Sequence, residues 1–262
     1  MGYRVSREQY IRLKHIEKEF GLSAALELVR TGFDYDQWAV LIPNEDRTDF
    51  DIRMMRWEFI PNYIPNAAAL DMVHRGIDPK TGNRIKPIPW LNARSENLFL
   101  NDAGRPAMWA SAARKRRCLV VATHFFEWRH YKPEGDRREQ TYPYYIEFFH
   151  HEEQLFMAGI WNEWTDKDTG EKVDGFAIVT TEANQVMAQI HNTKMRQPTI
   201  LTQDLAWLWL MEDLDDDQIT EIATFQLPSE DFIFHTVAKD FRETGDISPF
   251  NYPDLPPIDI AI

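Results

Sequence analysis

The stretch Arg116-Arg117-Cys118-Leu119-Val120-Val121-Ala122-Thr123-His124-Phe125-Phe126-Glu127-Trp128 decides the reading of the fold. Residues 118–122 form a short apolar run. Two polar residues follow, then the aromatic segment 125–128. Both read as strands. Working outward, residues 144–149, 155–160, 176–180 and 232–237 are further strand segments separated by mostly polar stretches. Prolines and aromatics between residues 38 and 65 predict short strands and loops, and residues 78–83 are a turn cluster. Helices are fewer. Ser6 with Gln9 has capping-box spacing ahead of a helix over about 7–20, and Gly21 is a natural stop. A shorter helix is expected over 24–30 and another over 182–190, ending at His191. Thr202 can cap one containing Leu205, Leu208 and Trp209. Strands outnumber helices and do not alternate with them as βαβ units would. The fold class expected is therefore α+β, with mostly antiparallel sheets. No repeat or linker interrupts the chain, so residues 1–262 are expected to form one domain. A proline-rich surface tail starts at about 249.

Composition supports that reading and excludes others. Of 262 residues, 44% are hydrophobic and 27% charged, which suits a sizeable core and rules out disorder over most of the length. No stretch approaches the ~20 apolar residues of a membrane helix. The N-terminus lacks the apolar core of a secretory signal. The single cysteine, Cys118, excludes an intramolecular disulfide framework and a cysteine-based zinc site. A reducing, cytoplasmic compartment is the simplest expectation. The net charge of −13 argues against non-specific binding to long duplex DNA, which needs clustered cations. A local basic groove is still allowed, because the acids crowd the last quarter and bases group at Arg114-Lys115-Arg116-Arg117.

Three polar groups interrupt apolar surroundings. Glu127 within Phe-Phe-Glu-Trp either faces solvent on an alternating strand, which the period-two rule favours, or is desolvated. Desolvation would raise its pKa and suit it to proton transfer near neutral pH. His191, at an expected helix C-terminus, is either a capping residue or a proton carrier, and that position favours the protonated form. In Asn92-Ala93-Arg94-Ser95-Glu96, Arg94 either pairs with Glu96 on the surface or binds phosphate. The run 114–117 is either a solvated helix face or, beside Trp57, Trp109 and Trp128, one wall of a single-strand groove. His150-His151 would point to opposite faces of a strand, which disfavours a shared metal ion. Asp215-Asp216-Asp217 reads as a solvated helix start. Trp207 and Trp209 read as core and rim of one helix.

The order of the motifs adds to this. Asn92-Ala93-Arg94-Ser95-Glu96, Arg116-Arg117-Cys118-Leu119, Phe126-Glu127-Trp128, Ala158-Gly159-Ile160-Trp161, Thr180-Thr181-Glu182-Ala183-Asn184 and Ile190-His191 together resemble the SOS response-associated peptidase (SRAP) family. The resemblance covers roughly residues 1–201, with a weaker echo near 235–239. It implies a single domain of barrel-like antiparallel sheets with peripheral helices. It also implies a monomeric sensor of abasic sites in single-stranded DNA, cytoplasmic and nucleoid-associated when bound, without cofactor or metal. Family members link covalently to the sugar aldehyde through an N-terminal cysteine, whose amine and thiol close a thiazolidine.

Residue by residue, the resemblance gives Asn92 the task of orienting the N-terminal residue. Glu127 would move protons around amine and aldehyde, and His191 would help open the sugar ring. Arg4 and Arg94 would hold phosphates, and Trp128 is the aromatic beside the glutamate. Trp57 and Thr180 complete the implied DNA-facing set. Arg196 is the counterpart of a further phosphate-binding arginine, with Lys194 as its competitor. Departures accompany the matches. Gly2 stands where the family has its cysteine, so a free amine could form only an imine. The family's Asp-Gly is Thr123-His124, and the stretch after the histidine is lengthened through Arg196. No early Asn-x-Ala-Pro element is clear near 38–43. The Trp-Gly-x-x-Pro element appears as Trp57-Glu58-Phe59-Ile60-Pro61, losing its glycine.

Overall fold

The structure is a computed structural model that describes residues 31–148 and 154–259. Gly2, Arg4, the helices expected at 7–20 and 24–30, and His150-His151 lie outside the described residues. In chain order the main elements are β1 (Gln37–Pro43), β2 (Phe50–Trp57), α1 (Ala67–His74), β3 (Asn92–Arg94), α2 (Ala110–Lys115), β4 (Arg117–Ala122), β5 (Phe125–Tyr131) and β6 (Gln140–Phe148). They continue with β7 (Leu155–Thr165), β8 (Lys172–Glu182), α3 (Gln185–Ile190), β9 (Arg196–Pro198), β10 (Ile200–Leu201), α4 (Gln203–Met211), α5 (Asp216–Ala223), β11 (Phe232–Thr236) and α6 (Phe241–Thr244).

The two halves of the opening stretch enter different sheets. β4 joins a large sheet ordered β10-β7-β4-β1-β2-β8-β3, with β9 on β8. β5 begins a three-stranded sheet ordered β11-β6-β5. A β7–β8 pairing curls the large sheet back on itself. Only β2 and β3 run parallel to β8; the other named pairings are antiparallel. The α+β expectation therefore holds.

Strand alternation divides the large sheet's side chains between two cores. Leu41, Leu119, Val121, Ile160 and Val179 join a core closed by helices α1, α2, α4 and α5. Val40, Cys118, Val120, Phe176 and Ile178 join a second core shared with Tyr144 and Ile146 of β6 and Val186 and Ile190 of α3. Cys118 is fully buried there, and burial pushes its thiol above the ordinary range. Gly159 lies opposite Cys118, and a Cβ at that position would sit 2.8 Å from the Cys118 sulfur. Among the described residues, no helix is long and apolar enough to cross a membrane.

The basic run does not act as one surface. Arg114 pairs with Asp216 of α5 at 2.6 Å, and Arg116 Nε donates to the Trp161 carbonyl. Arg117 is buried, and its guanidinium donates to the carbonyls of Ala113, Arg114, Trp209 and Glu212. Arg47 donates to those of Leu210, Met211 and Glu212. The last carbonyls of a helix lack intrahelical partners, and here two cations cap the end of α4. Burial draws the Arg117 pKa down to about 10, so it stays charged at neutral pH. The run is thus neither a groove wall nor a wholly solvated face. Arg117→Ala should destabilise the protein by about 3–5 kcal/mol, because it strips the carbonyls of Ala113, Arg114 and Trp209 of their donor and opens a cavity. Urea denaturation checks this, and an unchanged midpoint would refute the capping role.

Other expectations shift by local chemistry. Helix α3 starts at Gln185, not Glu182, because Thr181 and Glu182 pair with Gln197 and Arg196 as strand while Asn184 caps Met187 N–H. Thr202 caps α4 as expected, and the helix start expected at 215–217 is that of α5, with Asp215 as its cap. Trp207 and Trp209 are both buried, because α4 is covered on both sides by sheet and helix. The tail lies on the surface but is tied down. Tyr142 Oη donates to Asp254, Arg129 Nη1 donates to the Pro256 carbonyl, and Gln189 exchanges two bonds with Asp259.

Candidate functional site

Glu127 lies on β5 and His191 immediately follows α3, so the second core sets the gap between them. His191 Nδ1 donates to the Arg196 carbonyl at 2.8 Å and lies 3.4 Å from Glu127 Oε1. That leaves Nε2 as the acceptor nitrogen of the neutral ring. Both side chains are largely enclosed, with 16% of His191 and 22% of Glu127 exposed. Burial raises the Glu127 pKa to about 7, although Lys194 and the Trp128 N–H pull it down. Burial also lowers the His191 pKa, outweighing its hydrogen bond to Arg196. The protonated histidine expected from the helix C-terminus is therefore corrected: desolvation wins over the helix field. The outward-facing reading of Glu127 is corrected too, since α3 and its following loop cover that side of β5.

From this pair a chain of contacts reaches the large sheet. Arg196 Nη1 and Nη2 form a bidentate pair with Glu96 at 2.6 and 2.9 Å. Its Nε and Nη2 also donate to the Thr180 hydroxyl and carbonyl. Four of the five guanidinium donors that an arginine carries are engaged. Thr180 pairs with Arg94 across the parallel β8–β3 ladder, and Asn92 pairs with Ile178 two residues earlier. Asn92 and Arg94 therefore share a side of β3, and both are exposed. The expected Arg94–Glu96 surface pair is corrected, because Glu96 pairs with Arg196 and leaves Arg94 without an ion pair among the described residues.

The two tryptophans sit differently. Trp57 is half-buried, with Nε1 on the Leu91 carbonyl and its ring parallel to Phe176 at 6.2 Å. It borders Asn92, since Leu91 precedes β3. Trp128 alternates with Glu127 along β5 and turns to the other side of the small sheet. There it meets Phe241, and Arg242 lies over its ring at 5.3 Å. Neighbours in sequence, Trp128 and Glu127 are separated in space.

Glu58, in place of the family's glycine, is fully buried. It pairs with Arg56 at 2.8 Å and with His74, which stacks on Tyr35 at 4.4 Å. Gly175 makes room for this turn, because a Cβ there would meet the Glu58 carbonyl at 2.1 Å. Sequence reading missed this network, the Glu96–Arg196 pair and Asn192. A glutamate beside Arg56 in an aromatic stretch was the only available signal. No group of three or more metal-ligating side chains occurs among the described residues.

Chemically, the site offers a carboxyl that is half protonated near pH 7, a neutral imidazole, an exposed amide and a guanidinium without an ion pair among the described residues. Comparison with known proteins places the fold and the chain among relatives. A crystal structure of a protein from Bacteroides thetaiotaomicron superposes with a TM-score of 0.64 at 29% identity, covering 82% of this chain and 79% of that one. One from Bordetella bronchiseptica shares the fold, at a TM-score of 0.54 and 17% identity over 77% of this chain and 84% of that one. The abasic site processing protein YedK of Escherichia coli is 30% identical over 171 residues, 65% of this chain and 68% of that protein. The abasic site processing protein HMCES of Xenopus tropicalis is 25% identical over 212 residues, 74% of this chain but only 54% of that longer protein. Residues 32–244 match the family described as SOS response associated peptidase, and the chain belongs to that family.

Proposed function

We propose that this protein processes abasic sites in single-stranded DNA through an imine. The single observation that carries the reading is the buried Glu127–His191 pair, 3.4 Å apart, with the carboxyl raised to about 7. After removal of Met1, the α-amine of Gly2 attacks the C1′ aldehyde of the ring-opened sugar. A carbinolamine forms, and loss of water leaves the imine. A terminal amine ordinarily titrates at about 7.7–8.0, so a useful fraction is nucleophilic at neutral pH. Glu127 gives the proton that lets water depart. The neutral Nε2 of His191 serves the ring-opening step. Asn92 orients the amine, and Arg94, without an ion pair among the described residues, holds phosphate together with Arg4. Trp57, Thr180 and Arg196 complete the proposed DNA-facing set, with Arg196 acting chiefly by shaping the wall between Glu96 and Thr180, whereas Trp128, on the other side of the small sheet, stands apart from it.

Borohydride reduces an imine to a stable amine. Mixing the protein with abasic single-stranded DNA should therefore give a cross-linked band on a denaturing gel with borohydride and none without it. Tight binding with no trapped band would overturn the imine. It would instead support a second reading, a non-enzymatic single-strand or junction binder, which the thiol-less Gly2 favours.

A further inference from the structure

We propose that Asn192 is a positioning residue: its carboxamide docks the end of α3 on the open edge of β5 and thereby sets His191 against Glu127. The inference deepens the imine reading and rests on it for its catalytic consequence. Among the described residues β5 pairs only with β6, so its other edge offers free backbone groups. Asn192 occupies that edge as a strand would. Its Oδ1 accepts from His130 N–H at 3.0 Å, and its Nδ2 donates to the His130 carbonyl at 2.7 Å. His130 lies three residues beyond Glu127 on the same strand, and Asn192 directly follows His191. One side chain therefore ties the two halves of the pair together.

The loop behind Asn192 is closed by short bonds. Met195 N–H donates to the His191 carbonyl at 2.8 Å, and Ala183 N–H donates to the Met195 carbonyl at 3.0 Å. Met195 adopts a positive φ of 49°, uncommon for a side chain of its kind. Only an amide meets both demands of the β5 edge. A carboxylate at the position would accept from His130 N–H but face the carbonyl with no donor, and an alanine would do neither. The tail makes a second, longer tie between the same elements through Arg129–Pro256 and Asp259–Gln189. Substitution of Asn192 should therefore loosen the site without unfolding it.

The titratable and charged groups facing His191 are Glu127 and His130 from β5, Lys194 from its own loop and Arg196 at the start of β9. Two readouts on the full chain test the proposal. The first is the NMR titration of His191 in the free protein, assigned by its loss in His191→Gln. The second is the rate of borohydride-trapped adduct with abasic single-stranded DNA. In Asn192→Ala, solvent reaches His191, and its depressed pKa should rise toward about 6.5. Trapping should slow about 10–100-fold, with DNA affinity within about twofold of the parent. Asn192→Asp, which keeps one bond, should also trap slowly. A parent-like value of either readout in folded Asn192→Ala overturns the proposal. If the parent itself traps no adduct, the imine reading fails, and the His191 titration alone decides the role of Asn192.

Discussion

Gly2→Cys is expected to convert an adduct that needs borohydride into one that survives heat without it. On the proposed route the parent amine forms only an imine, which water reverses. A cysteine at the same position places a thiol two carbons from the imine nitrogen. Its sulfur adds to the imine carbon, the thiol proton passes to nitrogen, and a five-membered thiazolidine closes. Intramolecular attack of this kind enjoys effective concentrations of about 10⁵ M or more when well oriented, so the ring form should dominate. On a denaturing gel after heating, Gly2→Cys should retain most of the DNA as cross-link, and the parent only background. Intact mass should show addition of the DNA aldehyde with loss of one water. No adduct from folded Gly2→Cys, with or without borohydride, would leave the scaffold as a binding module.

The fold was largely legible because its signals are local. The apolar run at 118–122 and the aromatic run at 125–128 each became a strand, and the polar Thr123-His124 between them marks the passage from one sheet to the other. Caps at Thr202 and Asp215 also acted as single residues. Errors arose where long-range contact overrode local preference. Arg117 reads as surface charge until α4 brings its carbonyl end across from nearly a hundred residues away. Glu127 could not be assigned a side by alternation, because both sides of β5 are covered. One side faces α3 and the other faces Phe241. The Arg94–Glu96 pair was the natural local guess, but Arg196, a hundred residues on, offers Glu96 a bidentate partner. Asn192, in the lengthened stretch after His191, carried no signal, since an open strand edge is invisible until the sheet is built.

Glu127→Gln should make the protein both more stable and nearly inactive, and the two effects have one cause. The folded state holds the Glu127 proton up to about pH 7, whereas the unfolded chain releases it near 4.5. Between those values the native state binds more protons than the unfolded state, so stability falls as pH rises. The loss runs at about 1.4 kcal/mol per pH unit over about 2.5 units, reaching about 3 kcal/mol once the carboxylate is ionised, and it is absent below about pH 4.5. Glutamine removes that loss. The stability of Glu127→Gln relative to the parent should therefore rise between pH 4 and pH 8 by about 3 kcal/mol in chemical denaturation. On the proposed imine route the same substitution removes the acid that lets water leave the carbinolamine, worth about 10²–10⁴-fold in rate. For the parent, trapping should peak between about pH 7 and 8, because the amine must lose its proton while Glu127 must keep its own. In Glu127→Gln the descending limb should vanish, and the residual rate should climb with amine deprotonation alone. A descending limb that persists in the variant would assign the acid to another group. A stability difference that stays flat from pH 4 to pH 8 would mean that the fold does not hold this carboxyl in its neutral form. Retention of so unfavourable a buried group is what a proton-transfer role predicts, since a purely structural position would gain from the amide.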